Sequence, residues 1–366
     1  MEFLVLFAML PSSTEQGTGF GVEFKWDIPL LEGYEFRVLD NVSASPGVTR
    51  FSGCDTPGIY NELKKVKPDA VIVNGWVVKS CLQALWACKR LGVPCLVRGE
   101  ANDLRRRSWW KRLLQAALVQ RYEACLYIGN VNKAFYEARG VKAKKLFPSP
   151  YCIENQRFAE AAQSMRAQRE EFRQKWRVSA ADTCFVFCGK FENKKHPFEL
   201  VQSFASAFNR RKDIHLLMVG DGELRGQCEG LVARMGLPVT FTGFLNQSEI
   251  VAAYVAADCL VLPSDAGETW GLVVNEAMAC GLPAVVSDQV GCASDLVIPD
   301  VTGQVFPFGE WQQLTDLMVA LSGDQEKLCR LGTHAKVRIS AYSPEAAARG
   351  IADAAETTLE DYRECS

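Results

Sequence analysis

Two glutamates, Glu268 and Glu276, stand with seven residues between them in SDAGETWGLVVNEAMACGLPAVVSD, residues 264–288. DCLVLPS (258–264) reads as a buried strand and DAGETW as a loop. GLVVNEAMAC reads as a helix, with Val273, Ala277 and Cys280 on one stripe and Gly281 as its C-terminal cap. A helix start that follows a strand and a loop presents free N–H groups and the positive end of its dipole, which favours an anion; a diphosphate meets that requirement. Glu268, ahead of the helix, can accept hydrogen bonds from a polyol such as a sugar. Glu276, more than a turn in, can chelate a ribose diol. The same residues also fit a simpler arrangement, with Glu268 capping the helix and Glu276 on its surface.

Such groups must be positioned by the surrounding elements. Short apolar runs at 2–8, 34–39, 69–74, 94–98 and 124–129 alternate with helical stretches at 57–66, 78–91, 104–121 and 130–139. Runs without strong alternation suit parallel strands covered on both faces. FPSPYCIEN (147–155) reads as a Pro-containing linker. A second series follows, with strands at 183–189, 214–220, 239–243, 258–264 and 283–288. Its helices fall near 196–210, 222–236, 247–257 and 271–280, and three more helical stretches lie beyond Gly309. The pattern predicts an α/β protein of two Rossmann-like domains, with substrate at the carboxyl ends of the strands. The expected division is 1–150, 151–342 and a terminal helix, 343–366, returning to the first domain.

Composition narrows the class. A chain of 366 residues exceeds one ordinary core. Its 41 basic and 43 acidic residues give net −2, which argues against nucleic acid as a partner. The 14 cysteines are scattered in apolar runs without a CxxC pair, and there are three histidines. They read as reduced core thiols, with no metal site, and they point to a cytoplasmic protein. MEFLVLFAML lacks the basic start of a signal peptide, and no run is long enough to span a bilayer.

The spaced glutamates and the run that follows them resemble the signature of GT4 glycosyltransferases (glycosyltransferase group 1), which are retaining enzymes of the GT-B fold. That fold has two Rossmann-like domains whose parallel sheets face a central cleft. FCGKFENKKHPFELVQSF (187–204) is similar to the family's strand-loop-helix, and the resemblance implies that Lys190 and Lys195 hold the donor diphosphate. Two ammonium groups can neutralise a departing nucleoside diphosphate without a metal or other cofactor. MVGDGELR (218–225) and FTGFLNQSEI (241–250) match neighbouring blocks. The resemblance thus implies a catalytic set of Lys190, Lys195 and Glu268. It implies donor contacts from Gly189, Gly220, Asp221, Gly222, Phe244, Leu245, Gly267, Thr269, Trp270, Gly271, Leu272 and Glu276. The nucleotide diphosphosugar is then a co-substrate, and the acceptor is an unidentified hydroxyl.

GFGVEFKWDIPLLEGYEFRVL (19–39), LVRGEANDLRRRSWWKRLL (96–114) and PSPYCIEN (148–155) resemble one branch of the family. Two departures stand out. The family's usual first strand, glycine loop and helix are expected to be missing from the N-terminal domain. Where many relatives have a histidine facing the reacting sugar, this chain reads Arg98-Gly99-Glu100-Ala101-Asn102. Trp76, Arg98, Glu100 and Asn102 are the acceptor-side candidates.

In residues 104–121, Trp109, Leu113, Ala116 and Ala117 share one helical face, with Arg107, Lys111 and Arg112 largely opposite. That pattern fits peripheral contact with an anionic, cytoplasmic membrane face or a lipid-linked acceptor. It fits equally a surface helix whose tryptophans join the core. His196, at a helix start, and His215, in a strand, are weaker acid–base candidates. Trp26 and Asp27 belong either to the acceptor side or to a wall of the N-terminal core. The reaction read from these residues is retaining transfer of a sugar to a hydroxyl. The alternatives are a non-catalytic sugar-nucleotide-binding or assembly subunit, and a GT-B-fold epimerase or phosphorylase.

Overall fold

A computed structural model describes residues 2–17, 19 and 21–364. Phe20 of the stretch 19–39 and the last two residues of the expected 343–366 segment lie outside the described residues. The chain forms two compact units. One comprises the chain up to residue 12, residues 29–150 and the chain from 345 onward; the other comprises 13–28 and 151–344. Residues 13–28, assigned by the linear division to the first domain, therefore pack with the second unit.

In the first unit, β1 (Leu4–Phe7) pairs in parallel with β2 (Glu35–Val38). A separate parallel sheet runs in the order β3 (Val71–Asn74), β4 (Cys95–Arg98), β5 (Ala124–Tyr127) and β6 (Leu146–Pro148). β6 takes in Phe147 and Pro148 of the expected linker 147–155. A proline is tolerated there because β6 is an edge strand, where a missing N–H need not break a ladder. Cys88, Cys95, Val97, Cys125, Phe135 and Tyr136 lie in the core of this unit. The helix Pro344–Glu364 closes on the same unit: Ala354 packs with Leu96, Ala124 and Leu126. Gly350 lies so close to the chain that an added Cβ would sit 1.5 Å from the Pro148 carbonyl oxygen.

The second unit holds a six-stranded parallel sheet. Its strands are β7 (Thr183–Cys188), β8 (Ile214–Val219), β9 (Val239–Gly243), β10 (Cys259–Leu262), β11 (Ala284–Ser287) and β12 (Gly303–Phe306). They lie in the order β12-β11-β10-β7-β8-β9. Every residue of β7 and β8 is buried, as a strand covered on both faces requires. β12 and the helices Asn155–Met165 and Arg169–Lys175 are elements that the sequence pattern did not reveal.

The helix expected over 104–121 runs only from Trp109 to Val119, because the arginine-rich start is irregular. Its apolar face does not join a core: Trp109 is 74% exposed and Leu113 61%, with Trp110 and Leu114 also in solvent. Among the described residues no helix is long and apolar enough to cross a membrane, no disulfide links the cysteines, and no cluster suits a metal ion.

Candidate functional site

β10, β7 and β8 are adjacent in the second sheet, and their carboxyl ends bring the sequence-predicted residues together. Gly189 follows β7 with φ of +151°, and a Cβ there would lie 3.4 Å from Cε of Lys195. Gly220 follows β8 with φ of +123°; its Cβ would fall 2.0 Å from the Gly189 carbonyl oxygen, so only glycine fits beside β7. The loops are stitched by Phe191 N–H donating to the Asp221 carbonyl (2.9 Å) and Leu224 N–H donating to that of Phe191 (3.0 Å). The Asp221 carboxylate accepts from Gly222 N–H at 2.8 Å and pairs with Arg225 at 2.6 Å. Its side chain therefore shapes the turn.

Lys195 ends a short helical turn, Asn193–Lys195, and is buried. Its ammonium forms an ion pair with the Glu268 carboxylate. Glu268 thus does not cap the following helix. Gly271 occupies the N-cap of Leu272–Ala279 with φ of +100° and no side-chain cap bond; Val274 N–H bonds back to the Gly271 carbonyl at 2.9 Å, and the amides of Leu272 and Val273 precede it at the helix start. Lys190 is half-buried. Burial, aided by the neighbouring Lys194 and Lys195, moves its pKa below the ordinary lysine value against the pull of Glu192.

Glu276 is buried, not on the surface, and accepts a hydrogen bond from Tyr254 Oη at 2.7 Å. Burial raises its pKa, opposed by the hydrogen bond from Tyr254, by the nearby Gln247 amide and by the charges of Arg157 and Lys195. Lys190, Lys195, Glu268 and Glu276 thus form one electrostatically linked group. Gln247, Tyr254 and Arg157 were not singled out in the sequence, because polar residues in an ordinary helix or loop carry no local mark of such a network.

Other candidates have different surroundings. Trp270 is buried, donates its indole N–H to Asn275 Oδ1 (2.8 Å) and packs against Tyr151 and Tyr342. Its ring is thus a core element. Gly267 N–H is turned to Asp265 Oδ1 at 2.5 Å, and Thr269 lies under Gly291, whose Cβ would strike the Thr269 carbonyl oxygen. Phe244 is covered by Phe24, with ring centroids 4.1 Å apart, and Leu245 beside it is half-buried. Asn246 donates to the Lys25 carbonyl, and Ser248 holds Asp27. Trp26 and Asp27 therefore belong to the second unit, not to a wall of the first.

The acceptor-side candidates lie in the first unit. Trp76 stacks on Phe135, and Asn102 is buried with Oδ1 accepting from Leu104 N–H. Arg98 donates to Ser149 Oγ (3.0 Å) and to the carbonyls of Ser149 and Pro150, so its guanidinium holds the chain after β6. Glu100 is exposed. His215 shares a 3.0 Å hydrogen bond with Thr240 and is buried, which lowers its pKa to about 4. His196 lies against Phe308 and Trp311, with Glu199 and Asp265 near its nitrogens. Neither histidine side chain pairs with Lys195 or Glu268. A cavity of 670 Å³ bounded in part by Arg166, Arg169, Cys280 and Lys336 contains none of the predicted site residues.

Residues 168–338 match the family described as glycosyl transferases group 1. Over 128 residues the chain is 35% identical to a GDP-mannose-dependent alpha-(1-6)-phosphatidylinositol dimannoside mannosyltransferase of Mycobacterium tuberculosis, covering 35% of this chain and 32% of the relative. Over 149 residues it is 33% identical to sulfoquinovosyl transferase SQD2 of Arabidopsis thaliana, covering 40% and 28%. The aligned stretches span about a third of these curated relatives. Among solved structures, HepE of Anabaena in complex with UDP and glucose superposes with a TM-score of 0.66 at 18% identity, over 87% of this chain and 85% of HepE. A glycosyltransferase from Rickettsia africae gives 0.71 at 15% identity, over 89% and 85%. The strand-loop-helix blocks that carry Lys190, Lys195, Glu268 and Glu276 lie inside the segment 168–338 that matches the group 1 glycosyltransferases, and the chain has the GT-B fold of the solved structures it superposes on.

Proposed function

We propose that this protein transfers a sugar from a nucleotide diphosphosugar to a hydroxyl acceptor, with retention at the anomeric carbon and without a metal. The observation that carries this reading is the grouping of Lys190, Lys195, Glu268 and Glu276 in the segments that follow β7 and β10, beside a helix start with no side-chain cap. Lys190 and Lys195 neutralise the leaving diphosphate, with the amides after Gly271 as further donors. Glu268 accepts hydrogen bonds from the donor sugar, and Glu276 binds the ribose. The incoming hydroxyl attacks from the face of the departing phosphate, whose oxygen takes the proton. No covalent glycosyl-enzyme is required.

The helix Trp109–Val119 supplies peripheral membrane contact in this reading. Its exposed tryptophans and leucines neighbour Arg105, Arg106, Lys111 and Arg112. The complexes with UDP and the name of the GDP-mannose-dependent relative motivate the choice of donors for the test. The protein is incubated with UDP-, GDP- and ADP-sugars and a set of glycan and lipid-linked acceptors, and new glycoside is scored together with nucleoside diphosphate. One donor should yield both, and Lys195→Ala should lose both. Donor binding by calorimetry with neither hydrolysis nor transfer would instead favour a binding subunit.

A further inference from the structure

Glu276 does not stand alone. Tyr254, on the helix Ile250–Ala256, is fully buried and directs its hydroxyl at Glu276 Oε2 from 2.7 Å. Gln247, in the loop before that helix, lies beside the same carboxylate and lowers its pKa. The Gln247 amide is fixed, because its Oε1 accepts from Arg157 Nη2 at 2.8 Å. Arg157 is held in turn by Glu154 at 2.8 Å. An ionised carboxylate has about four acceptor positions. With one taken by Tyr254 and Gln247 beside the carboxylate, positions remain for the 2′- and 3′-hydroxyls of a ribose.

Resting on the functional reading above, we propose that Tyr254 and Gln247 are positioning residues for the nucleoside: they lock the Glu276 carboxylate so that its remaining acceptor positions receive the ribose diol. They are not catalytic, since neither touches the reacting sugar in this scheme. The consequence is selectivity for ribose over deoxyribose. A carboxylate held at one angle discriminates a missing hydroxyl, whereas one free to rotate finds other partners.

The test measures binding of UDP, GDP and ADP, and of the 2′-deoxy and 3′-deoxy forms of whichever binds, by calorimetry with the full chain. Wild-type protein should prefer the ribonucleotide by roughly tenfold, as for loss of one hydrogen bond to a charged group. Glu276→Ala should abolish the preference. Tyr254→Phe and Gln247→Leu should each reduce it at least threefold while leaving the affinity for inorganic pyrophosphate unchanged, a split that general loosening of the fold would not give. Gln247 is only half-buried, so its variant carries the test if Tyr254→Phe fails to fold. Binding of a ribonucleotide with an unaltered ribose-to-deoxyribose ratio in the folded variants overturns the positioning role alone. If UDP, GDP and ADP all fail to bind wild-type protein, the functional reading falls and this assignment with it.

Discussion

Lys195 and Glu268 form an ion pair in which both side chains are almost out of solvent, at 11% and 13% exposure. The two groups most directly assigned to donor chemistry are thus already neutralising one another. In the proposed reaction a diphosphate that reaches Lys195 would compete with Glu268, and a sugar hydroxyl that reaches Glu268 would relieve the competition, so the pair would couple phosphate binding to sugar binding.

Removing Lys195 therefore has two effects. Lys195→Ala leaves a nearly buried carboxylate without its partner, which should lower stability by about 3 kcal/mol. It should also cut turnover roughly ten- to a thousandfold, as for loss of a preorganised charge donor. Lys190→Ala should reduce turnover on the same scale with less loss of stability, because Lys190 is only half-buried. Urea denaturation and steady-state rates separate the two, and unchanged turnover in both variants would refute the assignment.

Glu276→Gln should separate stability from binding. Burial raises the Glu276 pKa, so folding favours its protonated form over its ionised form. The stability this group contributes is full below the ordinary glutamate range and is lost as pH rises. Glutamine removes the buried charge and still accepts from Tyr254. The variant should melt above wild type at pH 7 and bind the donor nucleotide roughly tenfold more weakly. In wild-type protein, donor affinity should fall on acidification at a higher pH than an ordinary glutamate would give.

His215 predicts acid sensitivity. Its pKa is about 4 in the fold, against 6.5 ordinarily. Between these values the unfolded chain binds a proton that the folded chain does not. Its stabilising contribution is present above pH 6.5 and is lost as pH falls towards 4, by about 3 kcal/mol in total. His215→Asn should flatten the dependence of the urea midpoint on pH across this window.

Gly220→Ala should disturb the donor loops without touching a charged group. The new methyl would meet the Gly189 carbonyl oxygen at 2.0 Å, at a φ that L-residues rarely adopt. A loss of about 2 kcal/mol is expected. A melting curve that matched wild type would show that the turn has another conformation available.

The exposed face of Trp109–Val119 predicts partition onto vesicles that contain anionic lipid and little onto neutral ones, weakened by salt. Trp109→Ala with Leu113→Ala should reduce sedimentation with the vesicles at unchanged melting temperature, because both side chains are in solvent. A double variant that sediments like wild type would remove the membrane from the account.

Local pattern was enough for much of this molecule. The uninterrupted apolar runs of β7 and β8 fit a parallel sheet covered on both faces, and glycines mark turns where strand ends meet. The spacing of Glu268 and Glu276 located a loop and a helix start. These features depend on residues near one another in the chain. Partners drawn from distant segments were settled only by tertiary structure: Trp270 turned inward onto Tyr151 and Tyr342, Arg98 bound to the carbonyls after β6, and residues 13–28 packed with the second unit. The helix Trp109–Val119 shows the same limit from the other side. Its periodicity defined an apolar face, but whether that face met a core or water depended on what the rest of the fold placed opposite it, and periodicity cannot encode that.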